Sequence, residues 1–300
     1  MRKIDALRLN FSEDSLFLLN ICLAIIMFGI ALDIRLDDFR NIWRKPKPAV
    51  IGLLSQFILL PLFTFLLILV LRPLPSIALG MMLVAACPGG NISNFLSHLS
   101  GSNSALSVSL TTVATVLSLA FTPLNLELYA NLYAPTRELL RSISIDPADV
   151  LRTIFTIIAL PLLIGILFQY ALPRWAKTLA PVLKVLSILI FLGFVAIAFS
   201  NNYTLFLEYI RAVIFLVFIH NALAYLLGYN LARFSGLSPR DRRTLAIETG
   251  IQNSGLGLVV IFAFFEGLGG MALLTAWWGI WHIITGLGVA FFWSRRPVAA

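Results

Sequence analysis

The chain has 300 residues, of which 59% are apolar and 12% charged, with a formal net charge of +8 and a mean hydropathy of +0.93. A soluble domain is roughly 45–50% apolar and 25% charged, so the composition excludes a water-soluble globule. The counts of 19 Gly, 14 Pro and 2 Cys exclude a collagen, a disordered polymer and a disulfide scaffold.

Apolar runs predict nine transmembrane helices, at about 15–32, 48–71, 75–99, 104–134, 150–172, 179–200, 209–232, 243–265 and 270–293. At roughly 20–25 residues per span, little of the chain is left for a soluble catalytic domain. The first run ends in Met27-Phe-Gly-Ile-Ala-Leu with no small-x-small cleavage site, so no cleavable leader is expected. The second carries Gln56 in mid-span. The third, Leu83-Val-Ala-Ala-Cys-Pro-Gly-Gly-Asn-Ile-Ser-Asn-Phe, places Pro88, Gly89 and Gly90 at its centre. Proline removes a backbone donor and lowers helix propensity by about 3 kcal/mol, each glycine by about 1. In the fourth, Ser107 and Thr111 stand at i, i+4 and present both hydroxyls on one face. His98 and His220 read as interhelical hydrogen-bonders. The eighth, Ala246-Ile-Glu-Thr-Gly-Ile-Gln-Asn-Ser-Gly-Leu, is interrupted by Gly250 and Gly255 around a polar cluster. Trp277, Trp278, Trp281 and Trp293 of the ninth span read as packing or interfacial belt residues. Cys22 and Cys87 lie within apolar runs and predict no disulfide.

Each break should leave N–H and C=O groups unpaired at membrane depth, which is tolerated only inside protein or beside a water-filled cavity. Paired Gly/Pro-interrupted spans in corresponding positions point to a secondary transporter built from inverted repeats. The breaks correspond if a first repeat, 1–134, lacks its leading helix and a second occupies 150–293, the whole forming one transmembrane domain over 1–300. Glu248 is the sharpest single residue, because an isolated carboxylate at a helix centre costs about 2.5–3.5 kcal/mol. It is either an interfacial or Arg243-paired carboxylate or an ion ligand. Gln252, Asn253 and Ser254 beside it, with Ser93, Asn94, Ser107, Thr111 and Gln56, supply oxygen donors. Oxygen ligands suit a hard cation, and three His without a Cys pair argue against a transition metal. No Ser/His/Asp set and no His-x-x-x-His pair supports an enzyme.

Charge sets the orientation. Fourteen Lys and Arg fall on one side of the predicted spans and eight on the other, the richer side holding Arg44-Lys45-Pro46-Lys47 and Arg240-Asp241-Arg242-Arg243. The positive-inside rule makes that side cytoplasmic, with the N-terminus outside and the C-terminus inside a bacterial-type inner membrane. The same rule accounts for the +8 balance without nucleic acid.

Cys87-Pro-Gly-Gly-Asn-Ile-Ser-Asn, Ala105-Leu-Ser-Val-Ser-Leu-Thr-Thr and Glu248-Thr-Gly-Ile-Gln-Asn-Ser-Gly closely resemble the bile acid:sodium symporter family. Met27-Phe-Gly-Ile-Ala-Leu, Gln56-Phe-Ile-Leu-Leu-Pro and His220-Asn-Ala-Leu-Ala-Tyr-Leu-Leu-Gly are similar as well, and the likeness runs in order from about residue 20 to 293. The resemblance implies a panel domain and a core domain in which two discontinuous helices cross. It implies a first sodium site at Ser93, Asn94, Ser107, Thr111 and Glu248. It implies a second at Gln56, Glu248 and Gln252 with the carbonyls of Thr249 and Ile251. Asn253, Asn91, Gly89, Gly90, His282 and Ile283 would face the substrate. A missing first helix resembles the nine-span members. One departure is His282-Ile283, where a ten-span relative carries His-Asn; another is Asn91, where that relative has Thr.

The implied activity is sodium-coupled symport of an organic anion, a bile acid or similar amphipathic acid, by a monomer in the bilayer with sodium as co-transported ligand and no other cofactor. Carriers of the same fold remain as alternatives: one for a small carboxylate such as pantoate or pyruvate, one coupled to protons through Glu248, or one for arsenite efflux using Cys87.

Overall fold

The computed structural model describes residues 3–6, 21, 24–25, 27–29, 31–32, 40, 46–143, 159–201, 203–296 and 298. Most of the span expected over 15–32, and the first nine residues of the one over 150–172, lie outside the described residues. So do Cys22, Arg44 and Lys45.

In chain order the helices are α1 (Lys3–Ala6), α2 (Pro46–Leu71), α3 (Pro75–Ala86), α4 (Ile92–Leu99), α5 (Ser104–Leu132) and α6 (Ala134–Ile143). They continue with α7 (Leu160–Ala171), α8 (Pro173–Asn201), α9 (Tyr203–Phe234), α10 (Pro239–Gly250), α11 (Ser254–Phe264) and α12 (Gly269–Ser294). Among the described residues there is no strand, only an isolated antiparallel bridge between Gly89 and Gln252. By length and composition, four helices among the described residues can cross a membrane: α2, α5, α12 and the Leu207–Phe234 part of α9. This is a helical, multi-pass membrane architecture.

The two interrupted spans are interrupted where the sequence says. α3 stops at Ala86 before Pro88, and α10 stops at Gly250. At 1.5 Å per residue α3 is only about 18 Å long, short of the roughly 30 Å hydrocarbon core. Each interrupted span reaches spanning length only as a pair, α3 with α4 and α10 with α11. Their starts follow ordinary capping. Ser238 accepts from Asp241 N at 3.2 Å ahead of α10, and Asn103 accepts from Leu106 N at 3.1 Å ahead of α5. At α3, Asp5 of α1 accepts from Ser76 N at 2.9 Å and from Ser76 Oγ at 2.6 Å, a carboxylate at a positive helix end.

Burial separates centre from shell. α3 is buried from Ser76 to Ala86, and α10 from Arg243 to Gly250, as expected of helices walled in on every side. The flanking α2, α5, α9 and α12 turn side chains such as Val70, Leu128, Leu226 and Phe291 outward, an apolar rim that suits lipid. Helices approach closely where side chains are small. A Cβ on Gly228 of α9 would stand 2.4 Å from the Leu245 carbonyl oxygen of α10.

Arg243, at the mouth of the span expected over 243–265, lies within α10. It is buried, and it donates to Trp293 O at 3.2 Å, Arg296 O at 2.6 Å and Ser100 O at 3.5 Å. It thereby caps the ends of α12 and α4 with one guanidinium.

Candidate functional site

The two breaks meet. Gly90 N donates to Ile251 O and Asn253 N to Pro88 O, each at 2.8 Å. Backbone groups freed by one interruption are therefore taken up in part by the other, and the Ile251 carbonyl keeps one lone pair for a further partner. The crossing collects two helix C-termini, at Ala86 and Gly250, and two N-termini, at Ile92 and Ser254. The first pair is attractive to cations and the second to anions.

Glu248 stands in the last turn of α10 and is fully buried. Its Oε1 accepts from Ser107 Oγ and from Ser93 Oγ, the latter at 2.5 Å. Thr111 Oγ1 lies 3.2 Å from Oε1 and 3.0 Å from Oε2. The same hydroxyls converge on Asn94: Ser107 Oγ is 2.9 Å and Thr111 Oγ1 3.2 Å from Asn94 Oδ1. Thr111 Oγ1 is also 3.0 Å from Ser107 O. Three hydroxyl protons cannot serve all these oxygens at once. The cluster is short of positive hydrogen around a buried carboxylate, and Arg243, the nearest basic candidate in sequence, spends its donors on helix-end carbonyls. Such a surplus of oxygen is what a hard cation satisfies.

A second concentration adjoins it. Gln56 Nε2 donates to Glu248 O at 3.4 Å and Gln252 Nε2 to Thr249 O at 2.8 Å. The amide oxygens of Gln56 and Gln252 are both buried and have no hydrogen-bond partner. A buried acceptor left without a donor costs about 1–3 kcal/mol, so two such oxygens need an explanation. Gly89 makes room: a Cβ there would lie 2.9 Å from Glu248 Oε2 and 3.3 Å from Gln56 Nε2. Among the described residues no group of three or more His, Cys, Asp and Glu gathers as a metal cluster. Oxygen chemistry from one carboxylate, amides, hydroxyls and carbonyls is what the crossing offers.

The sequence profile of the Sodium Bile acid symporter family matches residues 20–209. The "Uncharacterized sodium-dependent transporter YocS" of Bacillus subtilis is 32% identical over 293 residues, covering 96% of this chain and 88% of the relative.

The chain belongs to the sodium bile acid symporter family.

Other relatives are more distant in length. The "Probable sodium/metabolite cotransporter BASS1, chloroplastic" of Arabidopsis thaliana is 31% identical over 277 residues, 91% of this chain and 66% of the relative. The "Ileal sodium/bile acid cotransporter" of Cricetulus griseus is 31% identical over 252 residues, 83% of this chain and 70% of the relative.

On this symporter-family chain the residues expected at the substrate divide into two groups. Asn91 and Asn253 are the N-caps of α4 and α11, both partly exposed, at the two positive helix ends. Asn253 Oδ1 accepts from Leu256 N at 3.0 Å, which leaves its amide N–H groups for another partner. Gly90 packs against Asn253, a Cβ there lying 3.6 Å from Asn253 Cα. His282 is buried with Nδ1 lacking a partner, and Ile283 is half-buried. Neither is hydrogen-bonded to the crossing among the described residues; they sit within about a turn of Gly286, whose Cβ would meet Ile251 at 2.9 Å.

The sequence reading missed several supporting contacts. Asn221 Nδ2 donates to the Gly250 carbonyl at 2.7 Å, and Thr285 Oγ1 donates to Asn221 Oδ1 at 2.7 Å. Ser55 Oγ and Thr249 Oγ1 share a hydrogen bond of 2.8 Å. The only available signal for Asn221 was its place beside His220 in an otherwise apolar run. His220 itself shares a 2.6 Å hydrogen bond with Thr64.

Proposed function

We propose that the chain is a sodium-coupled symporter of an organic anion, a bile acid or similar amphipathic acid, working by alternating access with about two sodium ions per substrate. The observation that carries this reading is the excess of oxygens over protons around the buried Glu248 carboxylate. The first ion would take Ser93, Asn94, Ser107, Thr111 and Glu248. The second would take Gln56, Glu248, Gln252 and the carbonyls of Thr249 and Ile251. The relatives' names, sodium/bile acid and sodium/metabolite cotransporters, support the coupling ion and an organic substrate.

The anion would lie at the N-termini of α4 and α11, against Asn91, Asn253 and the Gly89–Gly90 backbone, with His282 and Ile283 of α12 on its flank. Charge explains why ion and anion share the place. One Glu offsets one of two sodium ions, and a monoanion neutralises the remainder. Sodium orders the broken segments, so anion affinity rises with sodium and, by reciprocity, sodium affinity rises with the anion.

Nine spans in two inverted repeats, 1–134 and 150–293, complete the proposal, with the N-terminus outside and the C-terminus in the cytoplasm of a cell membrane. Two features support the repeat. Each broken helix pair lies between two long helices, α2 and α5 or α9 and α12, and the breaks pass one another antiparallel.

The test is uptake into vesicles with external sodium replaced by choline at constant pH. Uptake is expected to stop, and its sodium dependence to show a Hill coefficient above one. Undiminished transport in choline would overturn the sodium reading and favour protons. The division of roles at the crossing has its own test in Asn253→Ser. Serine is as good an N-cap as asparagine, so α11 keeps its start while the amide donor disappears. Anion affinity at saturating sodium is expected to fall by about 1–2 kcal/mol, with sodium-induced stabilisation of the empty protein unchanged. A loss confined to sodium would move Asn253 into the ion site.

A further inference from the structure

Helix α2 carries a proline in mid-span, Pro61, which has no N–H to give to the carbonyl four residues before it, that of Phe57. The helix accommodates it with a widened turn. Ser55–Leu59 is a π-helix, and Leu60 N donates to Ser55 O across five residues. Single π-turns inside α-helices occur frequently at functional positions. This one holds Ser55 and Gln56 against the last turn of α10, through the bonds to Thr249 and Glu248.

The Phe57 carbonyl is not left bare. Asn125 of α5 donates Nδ2 to Phe57 O at 2.9 Å. Asn125 is buried and stands roughly four helical turns beyond Thr111 on the same helix. It makes no hydrogen bond to Gln56, Glu248 or Gln252. The amide replaces, from another helix, the donor that Pro61 withholds.

We infer that Asn125 is a positioning residue for the second cation site: its hydrogen bond to the Phe57 carbonyl holds the π-turn that aims Gln56 at Glu248 and Gln252. The inference rests on the reading of Gln56 as part of a second sodium site. Without the amide that bond is lost, and rewinding to an α-turn cannot replace it because Pro61 has no N–H, so nothing ties the π-turn to α5. Gln56 lies on the turn and moves with it. Helix α5 then serves both ions, the first directly through Ser107 and Thr111 and the second through Asn125.

The experiment is a sodium titration of the purified full chain, read by thermal stabilisation and by radiolabelled sodium binding. Four proteins are compared: wild type, Gln56→Ala, Asn125→Leu and the double variant. Leucine matches asparagine in size and lacks the donor. Asn125→Leu is expected to raise the half-saturating sodium concentration by about tenfold or more, the usual range for an outer-shell partner of a metal ligand. Its Hill coefficient should fall to one, as in Gln56→Ala. In the Gln56→Ala background it should add less than about twofold.

A wild-type titration in Asn125→Leu, or an equal shift in both backgrounds, overturns the inference while Gln56→Ala still reports on the site. A Gln56→Ala protein that titrates like wild type overturns the second-site reading and the inference with it. If Asn125→Leu does not fold, Pro61→Ala decides. Alanine returns the N–H to Phe57 from within α2, so this protein should be at least as stable as wild type without sodium yet lose the second ion. Wild-type cooperativity in Pro61→Ala overturns the role of the π-turn.

Discussion

Glu248→Gln is expected to abolish sodium-induced stabilisation. The carboxylate accepts from Ser93, Ser107 and Thr111 on one side, and its Oε2 lies with Gln56 Nε2 around Gly89, 2.9 and 3.3 Å from where a Cβ would stand, so both proposed ions depend on this side chain. A ligand at a hundred times its Kd stabilises by about 2.7 kcal/mol per site, and that increment should vanish for both. Gln56→Ala should keep the part contributed by the first ion. The sign in sodium-free buffer runs the other way. A buried charge without a cation is costly, so Glu248→Gln should there be at least as stable as wild type. Thermal denaturation with and without sodium checks both halves. Full sodium stabilisation in Glu248→Gln would place the ions elsewhere.

Gly228→Ala is the second large effect, and it acts through packing. The added methyl would stand 2.4 Å from Leu245 O and 2.8 Å from Thr249 Oγ1. A backbone oxygen cannot rotate away, so α9 and α10 must separate. Overpacking costs about 1–3 kcal/mol, occasionally more, and a carbonyl this close argues for the upper end. Because α10 carries Thr249 and Glu248, sodium affinity should fall with stability. Gly288→Ala is the control, since a Cβ there meets nothing within 4 Å; it should be neutral or slightly stabilising through helix propensity. Unfolding midpoints of the two variants in detergent distinguish the cases.

What the sequence made legible was local. Apolar runs located α2, α5, α9 and α12, and Pro88 with its two glycines placed the first break to within a residue or two, because proline and glycine act on their own backbone. Glu248 was conspicuous because carboxylates are rare inside spans. What depended on distant partners was not legible. Free backbone groups were expected at the breaks, whereas Gly90 and Ile251 satisfy one another across the crossing. Arg243 was legible as a cytoplasmic-side charge at the mouth of the eighth span, but not its partners: it is buried and caps helix ends contributed by residues near 100 and 293. The π-turn had a signal in Pro61, but the apolar residues around it read as one continuous helix and hid it. Asn125 and Asn221 meet carbonyls 68 and 29 residues away, distances at which no periodicity speaks.

The join between the breaks has a mechanical consequence. It consists of main-chain bonds, Gly90 to Ile251 and Asn253 to Pro88, in a place walled off from solvent. Prising the breaks apart would leave two donors and two acceptors without partners, at roughly 4–12 kcal/mol for the four groups. The four half-helices therefore travel as one piece. A carrier in which the proposed ion and anion sites drifted apart during the stroke would slip, leaking sodium without cargo. In the proposed symporter that slippage would be opposed by the backbone itself, and coupling would not depend on any one side chain at the seam.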